Sequence, residues 1–287
     1  MSLFQRRVIA FAGSLVAIDY DGIPAAAIID FLFEAAPPLE VQLDREPQVT
    51  LSLQASAETA ELILYRDNLL LYRGNSPASC AELLLGETCH WLAFHSSGGL
   101  VFHAAALARQ EHGVLLPGNS GSGKTTLAAW LTIHGFDYLT DELVWVPQDS
   151  SKLHSFTRPL NFKLAARSLW RSWQQASSPG VWSGPQGDLI APTVFNSTNR
   201  VSTPQIDLII FPSYAPNATF TLQQLPPAQA GLKLMQCLVN ARNVPEYGLR
   251  TVAQLARQTP AYLLNYAGFE QLDTHLQALV DSIHEPK

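Results

Sequence analysis

The octet Gly118-Asn119-Ser120-Gly121-Ser122-Gly123-Lys124-Thr125 constrains this chain more than any other feature. It satisfies G-x-x-x-x-G-K-[ST] and sits between an apolar run and an amphipathic one. Glycines let a backbone wrap tightly enough for successive N–H groups to converge on one point, and a helix opening at Thr125 adds the positive end of its dipole there. Such a loop is a cradle for the phosphates of a nucleoside triphosphate. The residues expected to line it are Gly118, Asn119, Ser120, Gly121, Ser122, Gly123, Lys124, Thr125 and Thr126. Lys124 is expected to reach the β- and γ-phosphates, and the Thr125 hydroxyl to ligate Mg²⁺. A glycine-rich turn without a ligand would not require a strand before it and a helix after it.

Both flanks are legible. Leu100 to Leu107 and Gly113 to Leu116 read as strands, the second running straight into the loop. Thr125 to His134 reads as a helix with Leu127, Trp130 and Leu131 on one face, stopped by Gly135 where a left-handed residue is wanted. Tyr138 to Val146 follows as one strand carrying the acidic pair Asp141-Glu142. Further on, Asp207 to Phe211 and Ala261 to Tyr266 read as strands, and Ala228 to Val239 and Phe269 to Ile283 as helices. Strands alternating with helices are the pattern of an α/β layer structure.

The first hundred residues differ in texture and read as short strands and turns closing with one helix. Val49, Leu51 and Leu53 alternate with polar residues, and two apolar runs flank Arg66-Asp67-Asn68 as in a hairpin. Ser76-Pro77 supplies an N-cap and first helical position for a helix from Ala78 to Phe94. Ser96-Ser97-Gly98-Gly99 ends it, so the expected organisation is a small α+β N-terminal domain over 1–97 and an α/β catalytic domain over 98–287. Residues 148–204 are rich in Ser, Pro and Gly, and that irregularity marks them as a candidate lid or substrate-recognition region. Trp170 and Trp173, three apart, are expected to pack a helix against a core.

Composition closes off several alternatives. A net charge of -6 with only 18 Lys+Arg lacks the basic excess that binding to DNA or RNA requires, so no nucleic-acid partner is expected. No segment approaches the roughly 20 apolar residues of a membrane span. Arg6-Arg7 before the apolar run Val8 to Ile18 has the outline of a secretory signal, but Gly13-Ser14 interrupts that run and two short strands joined by a turn explain it equally well. Three cysteines without a CxxC pair make a poor disulfide framework. A cytoplasmic protein without membrane contact is expected. Cys89, His90 and His95 do not share a helix face and are not read as a metal site.

Chemistry beyond the loop rests on two features. Asp141-Glu142 could hold Mg²⁺ or accept a hydroxyl proton from a phosphate acceptor. His103 stands in the strand before the loop among apolar neighbours, where a histidine is either a hydrogen-bonded core residue or a participant.

His103, the cradle, the turn His134-Gly135-Phe136 and Asp141-Glu142 together resemble, in order and spacing, the catalytic core of the HPr kinase/phosphorylase family and its divergent relatives. That family's second signature, Glu-Ile-Arg-Gly-Leu-Gly, has no counterpart here. The resemblance implies a P-loop kinase domain of the type shared with phosphoenolpyruvate carboxykinases. It implies Asp141 as general base, Lys124 and His103 beside the phosphates, and Thr125 with Glu142 at the metal, Glu142 standing where the family has a second aspartate. Arg158 and Lys163 are candidates for charge contacts to nucleotide or acceptor. The implied activity is ATP- and Mg²⁺-dependent transfer of a phosphoryl group to a protein, peptide or small-molecule hydroxyl. The alternatives are a nucleotide-binding regulatory or ATP-hydrolysing protein and, ranked lower, a carboxykinase-like small-molecule enzyme. The N-terminal region is left free to recognise substrate, cover the sheet or mediate a homo-oligomer.

Overall fold

A computed structural model describes residues 4–34, 45–56, 59–173, 180–195, 203–270, 272 and 275. In chain order the elements are β1 (Gln5–Phe11), β2 (Ser14–Asp21), α1 (Ile23–Phe33), β3 (Val49–Ala55), β4 (Leu62–Arg66), β5 (Leu69–Gly74) and α2 (Pro77–Phe94). There follow β6 (Gly99–Arg109), β7 (His112–Pro117), α3 (Lys124–Ile133), β8 (Asp137–Thr140), β9 (Leu143–Pro147) and β10 (His154–Ser155). Then come β11 (Leu160–Lys163), α4 (Arg167–Trp173), β12 (Val181–Ser183) and β13 (Gly187–Ile190). The last are β14 (Gln205–Tyr214), β15 (Thr221–Gln224), α5 (Pro227–Cys237), α6 (Leu249–Gln258) and β16 (Ala261–Tyr266). The architecture is mixed α/β, and the chain divides into two compact units, Met1–Gly98 with Phe156–Val201 and Gly99–Ser155 with Ser202–Lys287.

In the first unit a five-stranded sheet runs β1-β2-β3-β4-β5. The run that resembles a secretory signal is a hairpin, β1 and β2 turning at Ala12 and Gly13, both with positive φ. The turn between β4 and β5 places Asp67 in the same region. Val49, Leu51 and Leu53 all point into the core. Ser76 caps α2 by accepting a hydrogen bond from Ser79 N at 3.3 Å, with Pro77 in the first turn.

One helix of the first unit escaped the sequence reading. α1 joins β2 to β3, which pair in parallel and so need a crossover between them. Its residues, Ile-Pro-Ala-Ala-Ala-Ile-Ile-Asp-Phe-Leu-Phe, are apolar nearly all round, so no amphipathic period announces them; Pro24 in the first turn is the one start signal.

The Ser/Pro/Gly-rich segment is also more ordered than its composition implies. It contains α4 and a three-stranded antiparallel sheet, β11-β13-β12. Asp188 of β13 lies fully buried there. Arg167 grips it with two prongs, Nε to Oδ2 and Nη2 to Oδ1, both at 2.8 Å, and Trp170 Nε1 donates to Oδ2 at 3.1 Å. Burial alone would raise that carboxyl, but hydrogen bonds from Arg167, Ser183 and Trp170 outweigh it and hold the group below the usual carboxylate range.

In the second unit an eight-stranded sheet runs β10-β9-β6-β7-β14-β16-β15, with β8 also pairing with β6. β7, β14 and β16 are parallel neighbours, so their C-terminal ends lie on one edge. β6 runs antiparallel to β7, β8 and β9. The expected single strand from Tyr138 to Val146 is broken into β8 and β9 at Asp141-Glu142. Both pieces still pair with β6, with an irregularity between Ala106 and Leu107, and Glu142 O accepts from Ala104 N at 3.1 Å. The break turns the two acidic side chains out of the ladder. β15 and α6 were not anticipated; α6 buries only Val252, Leu255 and Ala256. The expected closing helix from Phe269 to Ile283 falls largely outside the described residues. No described helix is long and apolar enough to cross a membrane.

Candidate functional site

β7 delivers the chain to Pro117, and α3 takes it up again at Lys124. Between them Gly121 and Gly123 adopt φ of 88° and 97°, the left-handed region that costs a side-chain-bearing residue strain. A side chain at Gly123 would also collide with the hydroxyl of Tyr266, and a Cβ at Gly118 would stand 2.6 Å from Ser122 Oγ. The glycines are thus required by crowding as well as by dihedral.

Two tyrosines at the C-terminal ends of β16 and β14 strap the loop. Tyr266 donates its hydroxyl to Gly123 O at 3.2 Å, and Tyr214 donates its backbone N–H to Ser122 O at 3.1 Å. Their rings meet edge to face, 5.6 Å apart. Burial, and secondarily Tyr214, pushes the Tyr266 phenol well above its ordinary range, so it stays a donor at any ordinary pH.

No side chain caps the N-terminus of α3, whose first N–H groups face the loop. Lys124 is buried and donates to Gly118 O at 2.7 Å and Asn119 O at 3.1 Å, spanning the cradle. Ser122 Oγ is buried without a hydrogen-bond partner among the described residues, a polar atom in the cradle wall that an oxygen-rich ligand would satisfy. The loop therefore fits a polyphosphate on its own geometry.

Asp141, between β8 and β9, reaches the same point. Thr125 Oγ1 donates to Asp141 Oδ2 at 3.0 Å, and Tyr138 Oη donates to Asp141 Oδ1 at 3.2 Å. Glu142 turns the other way, its Oε1 lying 3.4 Å from Nε2 of His103 on β6. Asp141 is only 3% exposed, whereas the side chains of His103 and Glu142 keep 27% and 32% of their surface. Mg²⁺ bound through phosphates takes only one or two protein oxygen ligands, and the Thr125 hydroxyl beside the Asp141 carboxylate is a hard-oxygen pair of that kind. Among the described residues no group of three or more His, Cys, Asp or Glu is placed to hold a metal by protein ligands alone.

Within the second unit the structure thus joins Thr125 to Asp141 and His103 to Glu142, with Lys124 held against the loop carbonyls. Arg158 and Lys163 belong to the first unit. There Arg158 is buried and donates to Pro159 O at 3.2 Å and towards Cys89 Sγ at 4.0 Å. Sequence reasoning missed Tyr138, Tyr214 and Tyr266, although each closes a strand or precedes the acidic pair by one turn of chain. It also gave no role to Cys237 at the end of α5. Burial raises that thiol, and Lys124 and Lys233 oppose the shift, which places the end of α5 within electrostatic range of the cradle lysine.

No family model matches the chain, and no curated protein sequence matches it. Among solved structures, an HPr(Ser) kinase/phosphatase from Coxiella burnetii is similar at 16% identity over 64% of this chain and 90% of that one, with a TM-score of 0.34. At that TM-score the likeness carries no argument about function.

Proposed function

We propose that the chain is an ATP-dependent phosphotransferase that moves the γ-phosphoryl group onto a hydroxyl, in a P-loop kinase domain and in the cytoplasm. The observation that carries this reading is the 3.0 Å hydrogen bond from Thr125 to Asp141. It joins the hydroxyl at the end of the phosphate loop to a carboxylate from a separate strand, the pairing that nucleotide chemistry needs and that a merely structural turn does not. Mg²⁺ held there would neutralise charge developing between the β- and γ-phosphates. Lys124 would leave the carbonyls of Gly118 and Asn119 for the phosphate oxygens, and the loop N–H groups would hold the triphosphate in place. His103, Asp141 and Glu142 would stand at the γ-phosphate end, where an acceptor hydroxyl must arrive. The acceptor is a protein, peptide or small-molecule hydroxyl.

The test is transfer of label from γ-labelled ATP with Mg²⁺ into a cell lysate separated into protein, peptide and small-molecule fractions. The expected result is label in one fraction with the wild type and none with Lys124→Ala. Binding of ATP with no labelled product in any fraction would replace this reading by a nucleotide-binding regulator or ATP hydrolase.

A further inference from the structure

The geometry points to an exchange of the roles that the resemblance gives to the two neighbouring carboxylates. Glu142, steadied by His103, takes the acceptor's proton, and Asp141 stays with Thr125 on the metal side. This rests on the phosphotransferase reading and assigns the base within it.

Three observations separate the two side chains. The first is access: a general base must come within hydrogen-bond reach of the proton it removes. Asp141 is 3% exposed, while Glu142 is 32% exposed at its side chain, so an incoming hydroxyl meets Glu142. The second is occupancy. Both oxygens of Asp141 already accept hydroxyl hydrogen bonds, one from Thr125 at the base of the cradle and one from buried Tyr138, so the group is anchored facing the loop. The third is support. Glu142 has its backbone carbonyl pinned by Ala104 N at 3.1 Å, and its carboxylate lies 3.4 Å from His103 Nε2 on the strand that Ala104 continues. A base oriented by a second group is the recurring arrangement for activating a hydroxyl. His103 acts here as a positioning residue. The extra methylene of Glu142, compared with an aspartate, gives the carboxylate the reach to meet His103 at 3.4 Å.

In the step itself the acceptor's O–H proton passes to a Glu142 carboxylate oxygen as the acceptor oxygen bonds to the γ-phosphorus. The bond from that phosphorus to the β,γ-bridging oxygen breaks, its electron pair leaving with ADP.

The test compares Glu142→Gln, Asp141→Asn and Thr125→Val by two readouts, binding of a fluorescent ATP analogue across a Mg²⁺ titration and label transfer to the acceptor fraction. Glu142→Gln is expected to bind the nucleotide with wild-type Mg²⁺ dependence and to lose kcat by about 10²- to 10⁴-fold. Asp141→Asn is expected to need about 10- to 100-fold more Mg²⁺, with activity partly restored at high Mg²⁺. Thr125→Val, which leaves the buried carboxylate in place, is expected to shift Mg²⁺ dependence the same way, and it serves if Asp141→Asn fails to fold. Turnover by Glu142→Gln within about threefold of wild type, or unchanged Mg²⁺ dependence in both other variants, would overturn the assignment while leaving a phosphotransferase. A wild type that binds nucleotide but labels nothing would overturn the phosphotransferase reading, and the base assignment with it.

Discussion

Asp188 and Asp141 are both buried aspartates beside a β-strand, and the difference between their partners separates scaffold from site. Asp188 is gripped by the fixed two-pronged guanidinium of Arg167 and by an indole N–H. A guanidinium cannot lose its proton and cannot turn away without stranding a buried charge, so that carboxylate is committed to holding β13 to α4. Asp141 is met by the hydroxyls of Thr125 and Tyr138. Hydroxyls rotate, and each both donates and accepts, so they can give way to a metal ion or a phosphate oxygen. Burial is common to both carboxylates; on the proposed reading it is the exchangeability of Asp141's partners that suits it to a metal ion.

Variants that exchange the two behaviours test this. The largest effect is expected for Lys124→Ala, which should lower label transfer by about 10²- to 10³-fold through lost charge stabilisation and leave the melting temperature close to wild type. A fall in melting temperature of equal weight would make Lys124 scaffold as well. Next, Asp188→Asn should leave nucleotide affinity unchanged and destabilise the first unit by about 2 to 3 kcal/mol in urea titrations. That is below the full cost of breaking a buried pair, because Arg167 keeps 28% of its side-chain surface in water.

The same aspartate gives a pH limb. Its folded carboxyl lies below the ordinary value of 3.8. Its contribution to stability is therefore complete above about pH 4 and is lost as pH falls through the lower folded value. Acid titration of stability should show this loss in the wild type and a flatter limb in Asp188→Asn. The smallest effect is expected for Ser122→Ala. It removes a buried hydroxyl without a partner and should change stability by less than about 1 kcal/mol, in the favourable direction, while weakening nucleotide binding severalfold. Unchanged binding would make that hydroxyl a packing detail.

Much of this was legible in the sequence wherever a local rule decides the structure. The glycine-rich turn between β7 and α3, the β4–β5 turn at Asp67, the Ser76 cap and the Gly135 stop each follow from a dihedral or a cap that one residue type supplies. What stayed hidden depends on partners distant in sequence. α1 lacks an amphipathic period because residues on its exposed side, Ile23, Pro24 and Ala27, are as apolar as those it buries. β8 and β9 read as one strand because only pairing with β6 reveals the break at Asp141. The sheet β11-β13-β12 is organised by Asp188, whose role is invisible without Arg167 and Trp170 beside it. Tyr214 and Tyr266 look like ordinary strand residues until the loop they strap is in view.

Those two straps also set the order in which the protein becomes competent as it is synthesised. The cradle leaves the ribosome early, but Tyr214 and Tyr266 emerge roughly 90 and 140 residues later, on β14 and β16. A nascent chain halted before Tyr266 would carry the complete glycine-rich motif without the hydroxyl that pins Gly123. At about 5 to 20 residues per second the interval is roughly 5 to 30 seconds. Through that time the glycine-rich motif is present without the two groups that strap it.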